Sequence, residues 1–301
     1  MLTEPVRYSG PAFAEANGIS LCYDTFGDPL APPIVLIMGL AGQMVVWDDD
    51  FCRELALRGR FVVRFDNRDI GLSTKFTEAK TPSMRDIVFS QFTRSGIRAR
   101  YTLLDMAKDT IGLIDALGLD TVHVVGISMG GAIAQELAIH FRDRLRTLCS
   151  IMSSTGDPRL PPPTWQAMRV LTQRPAKERE VYLRRYVRTW HVLAQDNFPF
   201  DAARMRRQGE RSYDRGTNPA GVARQMLAIV ASGNRTEALR KLAIPALVIH
   251  GTADPLVRFK AGPALAAAIP GATFLAIEGM GHTLPREAWP RIIGAIEAHT
   301  A

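Results

Sequence analysis

Apolar residues in this chain fall into two alternating patterns. Short, nearly continuous apolar runs, rich in β-branched residues, occur at residues 33–38 (PIVLIM), 61–65 (FVVRF), 121–127 (TVHVVGI), 145–152, 246–251 (ALVIHG) and 272–277. Runs of this length and composition predict parallel strands covered on both faces. Between them, residues 49–57, 103–117, 129–140 and 260–269 carry apolar positions at helical spacing, as in Leu104, Ala107, Ile111 and Ile114, and predict amphipathic helices. Strand and helix in alternation imply βαβ crossovers and a doubly wound, mostly parallel α/β sheet. Residues 13–26 alternate more strictly around Asn17-Gly18, which predicts an antiparallel hairpin on the sheet edge.

The alternation stops after Met152 and resumes near Ala243. The interval opens with Pro161-Pro162-Pro163, closes around Gly233-Asn234, and is helical in pattern at residues 164–172, 176–193, 201–215 and 219–231, with Asp201 and Asn218 at N-cap positions. This predicts a core of residues 1–155 and 235–301 carrying an inserted helical cap, residues 156–234.

Composition narrows the classes. With 301 residues, 47% hydrophobic and 22% charged, the chain can bury a substantial core, and intrinsic disorder is excluded. The net charge of +7 is concentrated: residues 157–240 hold fifteen Arg and one Lys against eight acids. Because these arginines lie in helical patterns with acids at helix spacing, such as Glu180 and Arg184, they read as a solvated helix face, and neither nucleic acid nor membrane is expected as a partner. Cys22, Cys52 and Cys149 are odd in number and far apart, which fits neither a disulfide scaffold nor a zinc site. The opening residues place Glu4, Pro5 and Pro11 where a secretory leader needs an unbroken apolar run, and no apolar stretch reaches eighteen residues; a cytoplasmic location is therefore expected.

The chemistry is concentrated at Gly126-Ile127-Ser128-Met129-Gly130, where a predicted strand meets a predicted helix. A turn that sharp strains Ser128, pushes its hydroxyl into the open, and sets it at a helix N-terminus whose free N–H groups favour developing negative charge. A serine nucleophile needs a base and an acid that orients it. His123 and His250 lie in strands, His140 ends a helix, His191 lies in the insertion and His299 in the terminal tail. His282, in the glycine-rich loop Glu278-Gly-Met-Gly-His282 after the last strand, is the candidate base. Asp254, directly after ALVIHG, is the candidate acid, with Asp157 after the preceding strand as rival. The stripes of the insertion, including Trp165 and Trp190, could line a pocket over the sheet edge.

These residues resemble the α/β-hydrolase superfamily over nearly the whole chain, and Ser128, Asp254, His282 follow its triad order. Met38-Gly39-Leu40 resembles its His-Gly-x oxyanion motif with Met38 in the histidine's place, so the resemblance assigns the oxyanion-binding N–H groups to Leu40 and Met129. Asp66-Asn-Arg-Asp-Ile-Gly-Leu-Ser73 resembles the Asp-x-Arg-Gly-x-Gly-x-Ser turn, with Asp69 replacing a glycine. Trp47-Asp48, Phe51-Cys52 and that turn are similar to an esterase-like branch that includes polyketide methyl esterases of the aclacinomycin methylesterase type. The resemblance implies hydrolysis of a small, apolar carboxylic ester through an acyl-enzyme, with no metal and no organic cofactor. Cofactor-free perhydrolases and carbon–carbon bond hydrolases share the Gly-x-Ser-Met-Gly-Gly pattern, and a non-catalytic ligand-binding module uses the same fold.

Overall fold

The computed structural model describes residues 6–77, 99–173, 176 and 178–301. Eight strands form one sheet in the order β1-β2-β4-β3-β5-β6-β7-β8. The hairpin β1 (Ala12–Ala16) and β2 (Ile19–Phe26) sits at one edge, with β2 antiparallel to both β1 and β4, and turns through Asn17 and Gly18, both at positive φ (53° and 75°), the two-residue loop expected of Asn-Gly. The strands β3 (Pro33–Ile37), β4 (Phe61–Phe65), β5 (Val122–Ile127), β6 (Leu145–Ile151), β7 (Ala246–Gly251) and β8 (Thr273–Ile277) run parallel.

Every residue of β4 and β7 is buried, because both faces of the sheet are covered. Val35, Ile37 and Val124 pack with α2 (Leu103–Ala116), α3 (Met129–His140) and α9 (Ala261–Ala268) on one face. Ile34, Leu36 and Val125, one residue out of phase, pack with α1 (Asp49–Leu57) and α10 (Trp289–His299) on the other. Successive strand residues therefore feed two cores, which is why the strands read as unbroken apolar runs. Helix ends follow the sequence: Thr102 and Asp105 form a capping box on α2, and Asp48 caps α1.

Between β6 and β7 the described residues hold α4 (Trp165–Leu171), α5 (Arg179–Ala194), α6 (Ala202–Asp214), α7 (Pro219–Ser232) and the single turn α8 (Thr236–Leu239). Asp201 caps α6 by accepting from Arg204 N. Asn218 occupies the N-cap position of α7 but does not cap it; its Nδ2 donates to the Asp69 backbone oxygen at 2.9 Å. His299 lies in α10, with Nε2 3.1 Å from the Leu148 oxygen, and is part of the packed fold where a free tail was expected.

The solvated-face reading of the arginines needs correction. Arg206 does pair with Glu180 and Glu210 on exposed helix surface. Arg204, Arg211, Arg215 and Arg224, however, reach across to Asp48, Asp49, Asp66 and Asp69 of the sheet domain. Part of the positive surplus is therefore matched to acids of the sheet domain beneath, Asp66 and Asp69 among them buried, and fastens the insertion down.

Candidate active site

The strand order reverses between β4-β3 and β3-β5, so the loops leaving β3 and β5 diverge from adjacent strands and open a crevice at the carboxyl edge of the sheet. Ser128 stands there, between β5 and α3, with φ 55° and ψ −117°. Such a conformation is costly for a residue with a side chain and persists only where its surroundings impose it. Here they do: Ser128 N–H donates to Ile151 O at 2.9 Å, and Ser128 O accepts from Ala132 N. A Cβ at Gly126 would lie 2.1 Å from Gly130 O, and one at Gly130 would lie 2.1 Å from Ile37 O. The glycines let the turn close and let α3 lie against β3.

The loop after β3 passes close by; a Cβ on Gly39 would approach Ser128 Oγ to 3.7 Å. Gly42 N–H donates to Gly39 O at 3.2 Å, closing a tight turn with Ala41 at φ 62°. Among the described residues neither the Leu40 N–H nor the Met129 N–H has an acceptor. Two donors thus stand unpartnered on the two loops that flank the crevice. Met38 in place of histidine leaves its backbone held: Asn67 Nδ2 donates to Met38 O at 2.9 Å.

His282 Nδ1 lies 2.7 Å from Asp254 Oδ2, and both side chains are buried. The other oxygen, Asp254 Oδ1, accepts from Leu256 N and Val257 N at 2.8 Å each. A carboxylate can only accept, so His282 donates from Nδ1, and in the neutral imidazole the lone pair is on Nε2. The insertion holds this loop as well: His282 N–H donates to Leu193 O at 2.7 Å, and a Cβ at Gly281 would stand 2.3 Å from that carbonyl. Among the described residues no hydrogen bond joins Ser128 Oγ to His282. The rival acid, Asp157, is engaged by Arg159 at 2.6 Å, which holds its carboxyl down at about 2.

Of the other histidines, His123 Nδ1 lies 3.0 Å from Thr147 Oγ1, whereas His250 is buried beside the candidate acid, its Nε2 2.7 Å from Val257 O and 3.6 Å from Asp254 Oδ2. Trp190 is half-buried against Tyr186, ring centroids 5.9 Å apart, while Trp165 is 80% exposed at the start of α4. A cleft of about 320 Å³ where α1 meets α6 is lined by Asp49, Arg53, Arg204 and Arg211 among others and contains none of the candidate triad.

The loop after β4, which the sequence marks only by its resemblance to a family turn, holds a buried ion pair with the insertion. Asp69, at φ 70°, accepts from Arg224 Nε and a second guanidinium nitrogen at 2.8 and 2.6 Å, and from Tyr101 OH at 2.7 Å. Gln225, beside Arg224, bonds to Ala41 N and Arg68 O. The one signal in the sequence was Asp69 itself, an acid where the resembling turn has glycine.

A family model described as the alpha/beta hydrolase fold matches residues 32–286. The chain belongs to the alpha/beta hydrolase fold family. Within that family it is an esterase-type hydrolase. It is 30% identical over 302 aligned residues to rhodomycin D methylesterase DauP of a Streptomyces species, an alignment covering 94% of this chain and 95% of that protein. Rhodomycin D methylesterase DnrP of Streptomyces peucetius matches at the same identity and coverage. Among solved structures, a 2-hydroxy-6-oxo-6-phenylhexa-2,4-dienoate hydrolase from a Rhodococcus species matches with a TM-score of 0.76, covering 98% of this chain and 99% of that one at 20% identity, a likeness of fold. No helix among the described residues is long and apolar enough to cross a membrane.

Proposed function

We propose that this hydrolase cleaves carboxylic esters, methyl esters foremost, through an acyl-enzyme on Ser128. The observation that carries the reading is Ser128 held at φ 55° between β5 and α3, beside two unpartnered backbone donors. In this mechanism His282, held in one tautomer by Asp254, accepts the Ser128 proton as Oγ attacks the ester carbonyl. The Leu40 and Met129 N–H groups receive the negative charge that develops on the carbonyl oxygen. His282 then gives the proton to the leaving alkoxide, which departs as the alcohol. A water, deprotonated by the same histidine, attacks the acyl-serine; carboxylic acid leaves and Ser128 recovers its proton.

The two methylesterase relatives support the methyl ester as substrate class. The helices of residues 156–234 act as a cap over the crevice, and Trp190 is the candidate wall for an apolar acyl group. Three buried, unpaired cysteines agree with a reducing compartment.

The test is covalent. A fluorophosphonate is expected to label the protein once, at Ser128, and to abolish hydrolysis of p-nitrophenyl and methyl esters, while Ser128→Ala stays folded and inactive. An adduct mapped to another residue, or full activity in Ser128→Ala, refutes the assignment.

A further inference from the structure

The turn assigned to oxyanion binding is held from two sides. At its entry, Asn67 of the sheet domain donates to Met38 O at 2.9 Å. At its exit, Ala41 N–H donates to Gln225 Oε1 at 3.1 Å, across 184 residues of chain. Gln225 belongs to α7 and is fully buried. Its Nε2 donates to Arg68 O at 2.9 Å, so both ends of the amide are engaged and only one orientation satisfies both partners. The adjacent Arg224 ties the same helix to Asp69.

The Ala41 bond matters because of the turn's shape. Within Gly39–Gly42, Ala41 at the third position has positive φ and Leu40 at the second does not, the pattern of a type II turn. Type II and type I turns differ by a half-rotation of the central peptide, here Leu40 C=O with Ala41 N–H. Alanine disfavours the left-handed region by about 1–2 kcal/mol, so the turn by itself would relax by that rotation. The Leu40 N–H belongs to the preceding peptide and keeps its direction in that rotation; what Gln225 holds is the Ala41 N–H, and with it the place of the turn's backbone just after Leu40.

We propose that Gln225 is a positioning residue for ester hydrolysis: by bridging the Ala41 N–H and the Arg68 carbonyl it fixes the position of the turn whose Leu40 N–H receives the oxyanion. This rests on the acyl-enzyme reading above. It makes docking of α7 a condition for transition-state stabilisation, so the insertion contributes to the chemical step as well as covering the crevice.

Gln225→Met, close in shape but without the amide, tests this, with active sites counted by fluorophosphonate labelling. Displacing an oxyanion donor without deleting it should lower kcat by about ten- to a hundredfold per active site, with KM within about twofold. Affinity for a trifluoromethyl ketone, whose serine adduct carries the oxyanion, should fall by a similar factor. The matching secondary alcohol, which forms no adduct, should bind as to the wild type. Should Gln225→Met fail to fold, Gln225→Asn keeps an amide that is one methylene too short and is expected to give the same split. Wild-type kcat and ketone affinity in the folded variant would overturn the proposal, as would equal weakening of ketone and alcohol, which marks a merely structural role. Failure of the underlying reading shows separately, as absence of Ser128 labelling and ketone adduct in the wild type, and would overturn the proposal with it.

Discussion

Replacing Asp254 by asparagine isolates the orienting role of the acid, and the structure determines what the new side chain must do. Asp254 Oδ1 accepts from two backbone N–H groups, those of Leu256 and Val257, while Oδ2 is hydrogen-bonded to His282 Nδ1, with His250 Nε2 farther off at 3.6 Å. An asparagine keeps both backbone bonds only by turning its oxygen toward them; the reverse rotamer would bury two unpaired N–H groups, at about 1–3 kcal/mol each. The amide NH2 is thereby directed at His282 Nδ1. Two donors cannot face each other, so the imidazole adopts the other tautomer, with the proton on Nε2. That nitrogen can no longer accept the Ser128 proton. The expected loss is about 10⁴-fold in kcat, as for the same replacement in a serine protease, with the fold intact because two of the three hydrogen bonds survive. Asp157→Asn should change kcat by less than about twofold, since Asp157 engages Arg159 outside the candidate triad. Steady-state kinetics on a p-nitrophenyl ester, normalised to folded protein by circular dichroism and denaturant titration, would read both variants. Asp254→Asn with more than a tenth of wild-type activity, or the reverse ranking of the two aspartates, would refute the reasoning.

Arg224→Met should destabilise by about 3–5 kcal/mol, because it leaves the buried Asp69 without its countercharge, whereas Arg206→Met, which breaks only exposed pairs with Glu180 and Glu210, should leave stability nearly unchanged; urea midpoints compare them, and equal costs would restore the solvated-face reading. Burial, reinforced by Arg60 and Arg146, holds His123 down at about 4; the unfolded chain therefore takes up this proton first, and stability falls as pH drops from about 6.5 toward 4. His123→Gln should lose less stability than the wild type between pH 7 and pH 5, and an equal or larger loss would contradict that assignment.

How much of this molecule could be read without coordinates follows from the range of each interaction. The strands, the hairpin at Asn17-Gly18 and the helices of the insertion were legible because burial on one face or two leaves a local periodicity. The strand-to-helix turn at Ser128 was legible for the same reason: its glycines, its strand and its helix are contiguous. Asp254 and His282 could be named because each lies in the loop that follows a strand, although only the fold brings them to 2.7 Å. Periodicity reports which side of a helix meets solvent, and says nothing of which partner meets a charge. Asn218 satisfied every local rule for an N-cap, yet its amide is spent on Asp69. Arg215 finds Asp66 across 149 residues, and Arg224 finds Asp69 across 155. The local pattern of the chain thus determined its sheet and its strand-to-helix turn at Ser128, and its composition the surplus of positive charge. The docking of that charge onto the acids below, and the placing of Gln225 against the turn at Ala41, belong to tertiary structure, since residues so far apart meet only after the sheet has set the direction of every loop.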